Sequence, residues 1–320
     1  MSTATSADPV IAVDGLRKTY RSGFRRRPPQ LALDGLSLHV SAGGRVHGFL
    51  GPNGSGKTTT LRALLGLVRP DSGDVRLLGR SVPHDLPAVI GDVGALVEAP
   101  QFFRNFSGRR NLVYLADVAG LGRDRVDEVL NVVELHERAD DLVRSYSLGM
   151  RQRLGIAATL LKAPTILLLD EPSNGLDPAG IRDVRALLRR LADDGTTVLL
   201  SSHLLAEVEQ VCDDVTIVSK GRTITTGPVA EVLSRASGGG GRLRVGAPDP
   251  QAAADVLIRA GYRVERSGSH LLVADAGEPG AVTRALAEAG IYLTELAPEG
   301  VGLEEAFLLL TDDTHEPGPQ

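Results

Sequence analysis

Gly51-Pro52-Asn53-Gly54-Ser55-Gly56-Lys57-Thr58 fits the pattern G-x-x-x-x-G-K-[ST], and a chain of this length and composition would hold about 0.006 such matches by chance. Its surroundings strengthen the reading. The apolar run 45–50 before it predicts a strand, and residues 58–67 after it predict a helix. A glycine-rich turn between strand and helix lets backbone N–H groups and the helix N-terminus converge on phosphate oxygens. Gly51, Asn53, Gly54, Ser55, Gly56 and Thr59 would then line a phosphate cradle. Lys57 would reach the β and γ phosphates, and the Thr58 hydroxyl would bind Mg²⁺.

Further along, the run 165–169 predicts a buried strand that ends in two acids, Asp170 and Glu171. Carboxylates at the C-terminal edge of such a strand face the ligand crevice. Asp170 is expected to hold Mg²⁺ through water. Glu171 is expected to polarise an attacking water, a contribution of ~10² to 10⁴ in rate for a general base. Taken alone the pair could equally form a helix-capping turn, but downstream of the phosphate loop it completes the outline of a nucleotide-hydrolysing site.

A third motif, Tyr146-Ser147-Leu148-Gly149-Met150-Arg151-Gln152-Arg153, lies between the first two and runs into a helical stretch that reaches Lys162. With these motifs in order, residues 10–236 resemble the ATP-binding cassette of ABC transporters, whose signature is usually LSGGQ followed by QR. The resemblance implies an α/β fold: a P-loop ABC ATPase core with a helical subdomain over about 99–160, and ATP and Mg²⁺ as cofactors. It also implies a homodimer in which Ser147 and Gly149 of one copy touch the γ-phosphate held by the other. Leu148 and Met150 depart from the usual signature. Without its neighbours Ser147 would read as a plain helix N-cap.

The resemblance assigns other positions too. Ser173-Asn174-Gly175-Leu176-Asp177 looks like the D-loop, with Asp177 facing the opposing subunit. His203, after the predicted strand 197–200, looks like the switch histidine that contacts the γ-phosphate, although a lone His there is otherwise structural or solvated. Tyr20 is placed like the aromatic that stacks on adenine, although a strand-ending tyrosine is commonly a packing residue. Where the family usually has glutamine, after the predicted strand 93–97, this chain has Glu98 followed by Ala99-Pro100-Gln101. Either Glu98 or Gln101 fills that position near the metal; we favour Glu98. Glu-x-Pro and the signature together are similar to the cassettes of bacterial antibiotic and drug exporters of the bacitracin and daunorubicin type.

Composition narrows the partners. The 320 residues are 42% apolar with mean hydropathy near zero, and no run approaches the ~18 apolar residues of a membrane span. Aromatics are 3% with no Trp, which argues against stacking surfaces for carbohydrate or single-stranded nucleic acid, and a net charge of -5 argues against a general nucleic-acid binder. The single cysteine, Cys212, and an N-terminus without a basic and then apolar signal point to a reducing cytosol. Arg outnumbers Lys by 31 to 4, a bias read as genomic background. Arg25-Arg26-Arg27 reads as a solvated hairpin loop or a contact for anionic lipid. Phe102, Phe103 and Phe106 read as a buried turn or as a groove for a coupling helix of a membrane subunit.

The organisation has two parts. Residues 1–236 form the nucleotide-binding domain and the glycine run 237–241 a linker. Residues 242–312 follow a βαββαβ order with a last helix at 303–310, which suggests a small α+β ferredoxin-like domain, and 313–320 form a disordered tail. The whole reads as the ATP-hydrolysing subunit of an exporter, peripheral on the cytoplasmic face of the cell membrane, paired with an ABC membrane permease and free of nucleic acid. Two alternatives are a non-transport ABC ATPase of translation or DNA repair and a nucleotide-responsive regulator.

Overall fold

The strands that carry the first two motifs are buried on both faces, which is why they read as apolar runs rather than alternating ones. The computed structural model describes residues 9–21, 28–98, 100–236, 242–274, 279–299 and 303, in two units, Met1–Gly227 and Pro228–Gln320. Arg25–Arg27, the glycine run 237–241, the tail 313–320 and all but Leu303 of the last expected helix lie outside the described residues.

The first unit opens with β1 (Ile11–Tyr20), β2 (Gln30–Val40) and β3 (Val46–Leu50), then α1 (Lys57–Leu64), β4 (Ser72–Leu77), β5 (Arg80–Ser81), α2 (Leu86–Val89) and β6 (Val93–Leu96). The helices α3 (Gly108–Val118), α4 (Asp124–Val132) and α5 (Leu148–Leu160) follow. It continues through β7 (Ile166–Asp170), α6 (Pro178–Asp193), β8 (Thr197–Ser202), α7 (Leu205–Glu209), β9 (Asp214–Ser219) and β10 (Arg222–Pro228).

Six strands make a sheet in the order β10-β9-β3-β8-β7-β6, with β9, β3, β8, β7 and β6 mutually parallel. The order β2-β1-β4-β5 makes a second, antiparallel sheet. Ile11, Val13, Leu36 and Leu38 of that sheet share one core with Leu61 and Leu64 of α1 and with Phe49, Ile166, Leu168 and Leu199 of the parallel sheet. Opposite, α6 buries Val184, Leu187, Leu188, Leu191 and Ala192, the i, i+3, i+4, i+7, i+8 stripe of a helix lying on a sheet. The helices α3, α4 and α5 pack on one another as the expected helical subdomain.

The helix expected over 58–67 stops earlier. Gly66 takes φ +67, its N–H meets the Ala63 carbonyl at 3.0 Å, and the Leu67 N–H meets the Arg62 carbonyl at 2.9 Å, a paired cap that closes α1.

The second unit contains α8 (Val229–Ala236), β11 (Arg242–Gly246), α9 (Pro250–Arg259), β12 (Arg263–Ser267), β13 (His270–Ala274), α10 (Pro279–Glu288) and β14 (Glu295–Glu299). Its sheet order is β12-β13-β11-β14, antiparallel throughout, so that β13 splits the βαβ unit of β11, α9 and β12. Ala253, Leu257, Val282 and Leu286 of α9 and α10 cover Leu243, Val245, Leu271 and Val273. Residues 291–296 read as a strand by sequence, but the last strand starts at Glu295, opposite Gly246. Ile291 and Leu293 pack against the core from the connecting segment, and that burial imitates a strand's alternation.

Candidate functional site

The phosphate loop, Glu98, Asp170, Glu171 and His203 follow the carboxyl ends of four neighbouring parallel strands, where the crevice of an open α/β sheet lies. The phosphate loop follows β3. Gly51 is required by space: a Cβ there would sit 2.2 Å from the Val218 carbonyl and 2.7 Å from Ser55 Oγ. Gly56, the N-cap of α1, is required by its φ of +108. Lys57, only 5% exposed, donates to the Gly51 carbonyl at 2.7 Å and lies 3.3 Å from Glu171 Oε1. Ser55 Oγ is buried and without a hydrogen-bond partner.

At the end of β7 the Asp170 carboxylate accepts from Thr58 Oγ1 at 2.7 Å through one oxygen and from Ser201 Oγ through the other. Glu171 takes φ +49, an unusual conformation for a residue with a side chain. That turn returns its N–H to β8, where it meets the Ser201 carbonyl at 3.2 Å and Ser201 Oγ at 3.1 Å. Its carboxylate lies between Lys57 and His203, whose Nδ1 is 2.7 Å from Glu171 Oε2. The next turn is held by Ser202 Oγ, which accepts from the Leu204 N–H at 2.9 Å.

Tyr20, 39% exposed, ends β1 opposite Gln30 and lines a cleft of about 260 Å³ with Asn53, Gly54, Gly56, Lys57, Thr58, Thr59 and Glu171. The Lys18 ammonium is 5.7 Å from its ring centre. Beside it, the Thr19 N–H holds the Asp71 carboxyl below the usual carboxylate range, helped by Lys18. A neighbouring cleft of about 310 Å³ brings Glu98 together with Asp170, Glu171, Arg151 and Gln152. Glu98 itself is 75% exposed and pairs with Arg62 of α1 at 2.8 Å. Gln101 lines a different depression, with Phe102, Arg104 and Val143.

Ser147, Gly149 and Asp177 meet in a separate cleft of about 400 Å³. Ser147 and Asp177 cap α5 and α6 by accepting from the Met150 and Gly180 N–H groups at 3.1 and 3.0 Å. A Cβ on Gly149 would meet nothing nearer than 3.9 Å, so packing within the chain does not demand glycine there.

Residues 33–174 match the family described as ABC transporter. The chain is 40% identical over 317 residues to the daunorubicin resistance ATP-binding protein DrrA3 of Streptomyces coeruleorubidus, spanning 96% of this chain and 97% of that one. It is 35% identical over 307 residues to the bacitracin transport ATP-binding protein BcrA of Bacillus licheniformis, spanning 94% and 97%. The chain belongs to the ABC transporter family as an ATP-binding subunit. The solved structure of cbiO1 from Clostridium perfringens, part of the ABC transporter complex cbiONQ, matches with a TM-score of 0.63 at 26% identity, over 79% of this chain and 96% of that one.

The cassette's donors suit nucleotide phosphates and a hard cation. An orphaned buried hydroxyl at Ser55 and a buried ammonium at Lys57 face the loop. Thr58 and Asp170 contribute a hydroxyl and a carboxylate, oxygen donors of the kind Mg²⁺ takes alongside phosphate and water. Among the described residues no group of three or more His, Cys, Asp or Glu could cage a metal, so the phosphates themselves would supply further ligands. The sequence reading missed Ser201, Ser202 and Arg62. Ser201 and Ser202 directly precede His203, but serines in a strand have no spacing that marks them.

Proposed function

We propose that this cassette hydrolyses ATP to drive export of a drug, antibiotic or lipid-like molecule through a separate membrane permease. The observation that carries the chemistry is the position of Glu171, within reach of both Lys57 and His203 at the mouth of the phosphate loop. In this reading Lys57 and the loop amides bind the β and γ phosphates, and Tyr20 stacks on adenine. Glu171 orients a water and accepts its proton, while His203 holds the carboxylate and reaches for the γ-phosphate. Thr58, Asp170 and Glu98 would hold Mg²⁺, which supplies charge neutralisation at the phosphates when bound.

The cleft of Ser147, Gly149 and Asp177 supports a dimer in which each copy completes the other's site. A bare glycine that its own chain does not need leaves room for a phosphate oxygen. For the permease, Phe103 and Tyr114 form an edge-to-face pair with centroids 5.8 Å apart, both more than half exposed, on a surface suited to an amphipathic helix. No helix among the described residues is long and apolar enough to cross a membrane, so in this reading the chain sits on the cytoplasmic face of the membrane through that partner. The names of DrrA3 and BcrA support a drug or antibiotic cargo.

Glu171→Gln tests the reading. It should retain ATP binding and form a stable dimer with ATP, seen by light scattering, while turnover falls ~10²-fold or more. Parental turnover in that variant would remove Glu171 as the base.

A further inference from the structure

We infer that Ser201 is a positioning residue for both acids of the site, orienting Asp170 toward the phosphate-loop helix and holding the backbone turn that aims Glu171. The inference rests on the ATPase reading above.

Ser201 lies near the end of β8, in register with Asp170 of β7, and is fully buried. Its hydroxyl donates to Asp170 Oδ1 and accepts from the Glu171 N–H at 3.1 Å. One hydrogen and two lone pairs let a single hydroxyl make both bonds at once. Asp170 is therefore gripped at both oxygens, but unequally. Thr58 holds Oδ2 from the start of α1, where the hydroxyl can turn toward a cation, while Ser201 holds Oδ1 from the interior of the sheet. An exchange at Oδ2 need not disturb the grip at Oδ1, and the carboxylate stays pointed the same way.

The second bond acts on Glu171. A left-handed φ at a residue with a side chain persists only where neighbours hold it. The Ser201 carbonyl and hydroxyl are the two groups that receive the Glu171 N–H, and only the hydroxyl is open to mutation. The same turn carries the Glu171 carboxylate toward Lys57 and His203.

Ser201→Ala and Ser201→Cys remove the strong donor, the second with little change of volume, and Ser201→Thr restores a hydroxyl. Each is compared with the parent in kcat and KM for ATP. Binding of a non-hydrolysable ATP analogue is also measured, with and without Mg²⁺, to give the Mg²⁺ concentration at half-saturation. Ala and Cys should lower kcat about 10- to 100-fold and raise the Mg²⁺ requirement about 10-fold. Mg²⁺-free nucleotide binding and KM should stay within about 2-fold, and Thr should recover most of the loss. Three results would overturn the inference: parental kcat and Mg²⁺ requirement in Ala or Cys, no recovery in Thr, or a loss of Mg²⁺-free binding in step with kcat. A parent that bound the analogue but did not turn ATP over would sink the ATPase reading instead, and the Mg²⁺ titration would still decide the role of Ser201.

Discussion

Glu98 shares its cleft with Asp170 and Glu171, and we propose that it stands where the resemblance to ABC cassettes would put a glutamine. Its pairing with Arg62 lies in solvent, where such pairs contribute about 0.2–1 kcal/mol, so the pair steers the carboxylate more than it stabilises the fold. Glu98→Ala is expected to lower Mg²⁺-dependent turnover by about 10-fold, and Gln101→Ala to leave it within about 2-fold. An ATPase assay over a range of Mg²⁺ compares the two, and the reverse ranking would give the role to Gln101. The phosphate loop, Asp170 and Glu171 were legible because each needs a particular residue type at a fixed spacing. Ser201 was not, because its role depends on the lateral register of β7 and β8, which no local spacing records. Arg62 reads as one more arginine among 31 until α1 brings it beside Glu98.

β3 delivers the phosphate loop, yet it contains a fully enclosed imidazole. His47 Nε2 lies 2.9 Å from Thr216 Oγ1 on β9, which in turn lies 3.0 Å from Thr226 Oγ1 on β10. Burial, with the Arg45 charge adding to it, pushes the His47 pKa down from 6.5 to about 4. Between those values the unfolded chain binds a proton that the fold does not, so stability falls as pH drops from 6.5 toward 4, by up to about 3 kcal/mol. Urea unfolding followed by circular dichroism at pH 7, 6 and 5 should show this decline in the parent. His47→Val should flatten it, and an equal slope in both would exclude His47 as its source. Element types follow from period and composition: β7 is an apolar run, and α6 carries a clear stripe. Ends follow less closely. α1 stopped short because Gly66 turned left-handed, and β14 started late because Ile291 and Leu293, half-buried, pack against the core from outside the strand.

The two units each have their own core, and the residues proposed to handle nucleotide all belong to the first. We propose that the second unit supports or regulates dimerisation. A chain ending at Ser237 is then expected to bind ATP within about 2-fold of the parent and to form the ATP-bound dimer several-fold more weakly by light scattering. Unchanged dimerisation and turnover would leave the second unit without a part in either. The order βαββαβ was legible because each segment is short and strongly patterned, and the unit's purpose was not, because none of its residues matched a chemical motif. The cleft of Ser147, Gly149 and Asp177 contains no residue of the phosphate loop. If neither cleft can complete itself, activity per molecule is not a constant of the chain. It declines on dilution, and an excess of copies disabled at Lys57 would silence intact ones by occupying them, so that an inactive allele would behave as dominant.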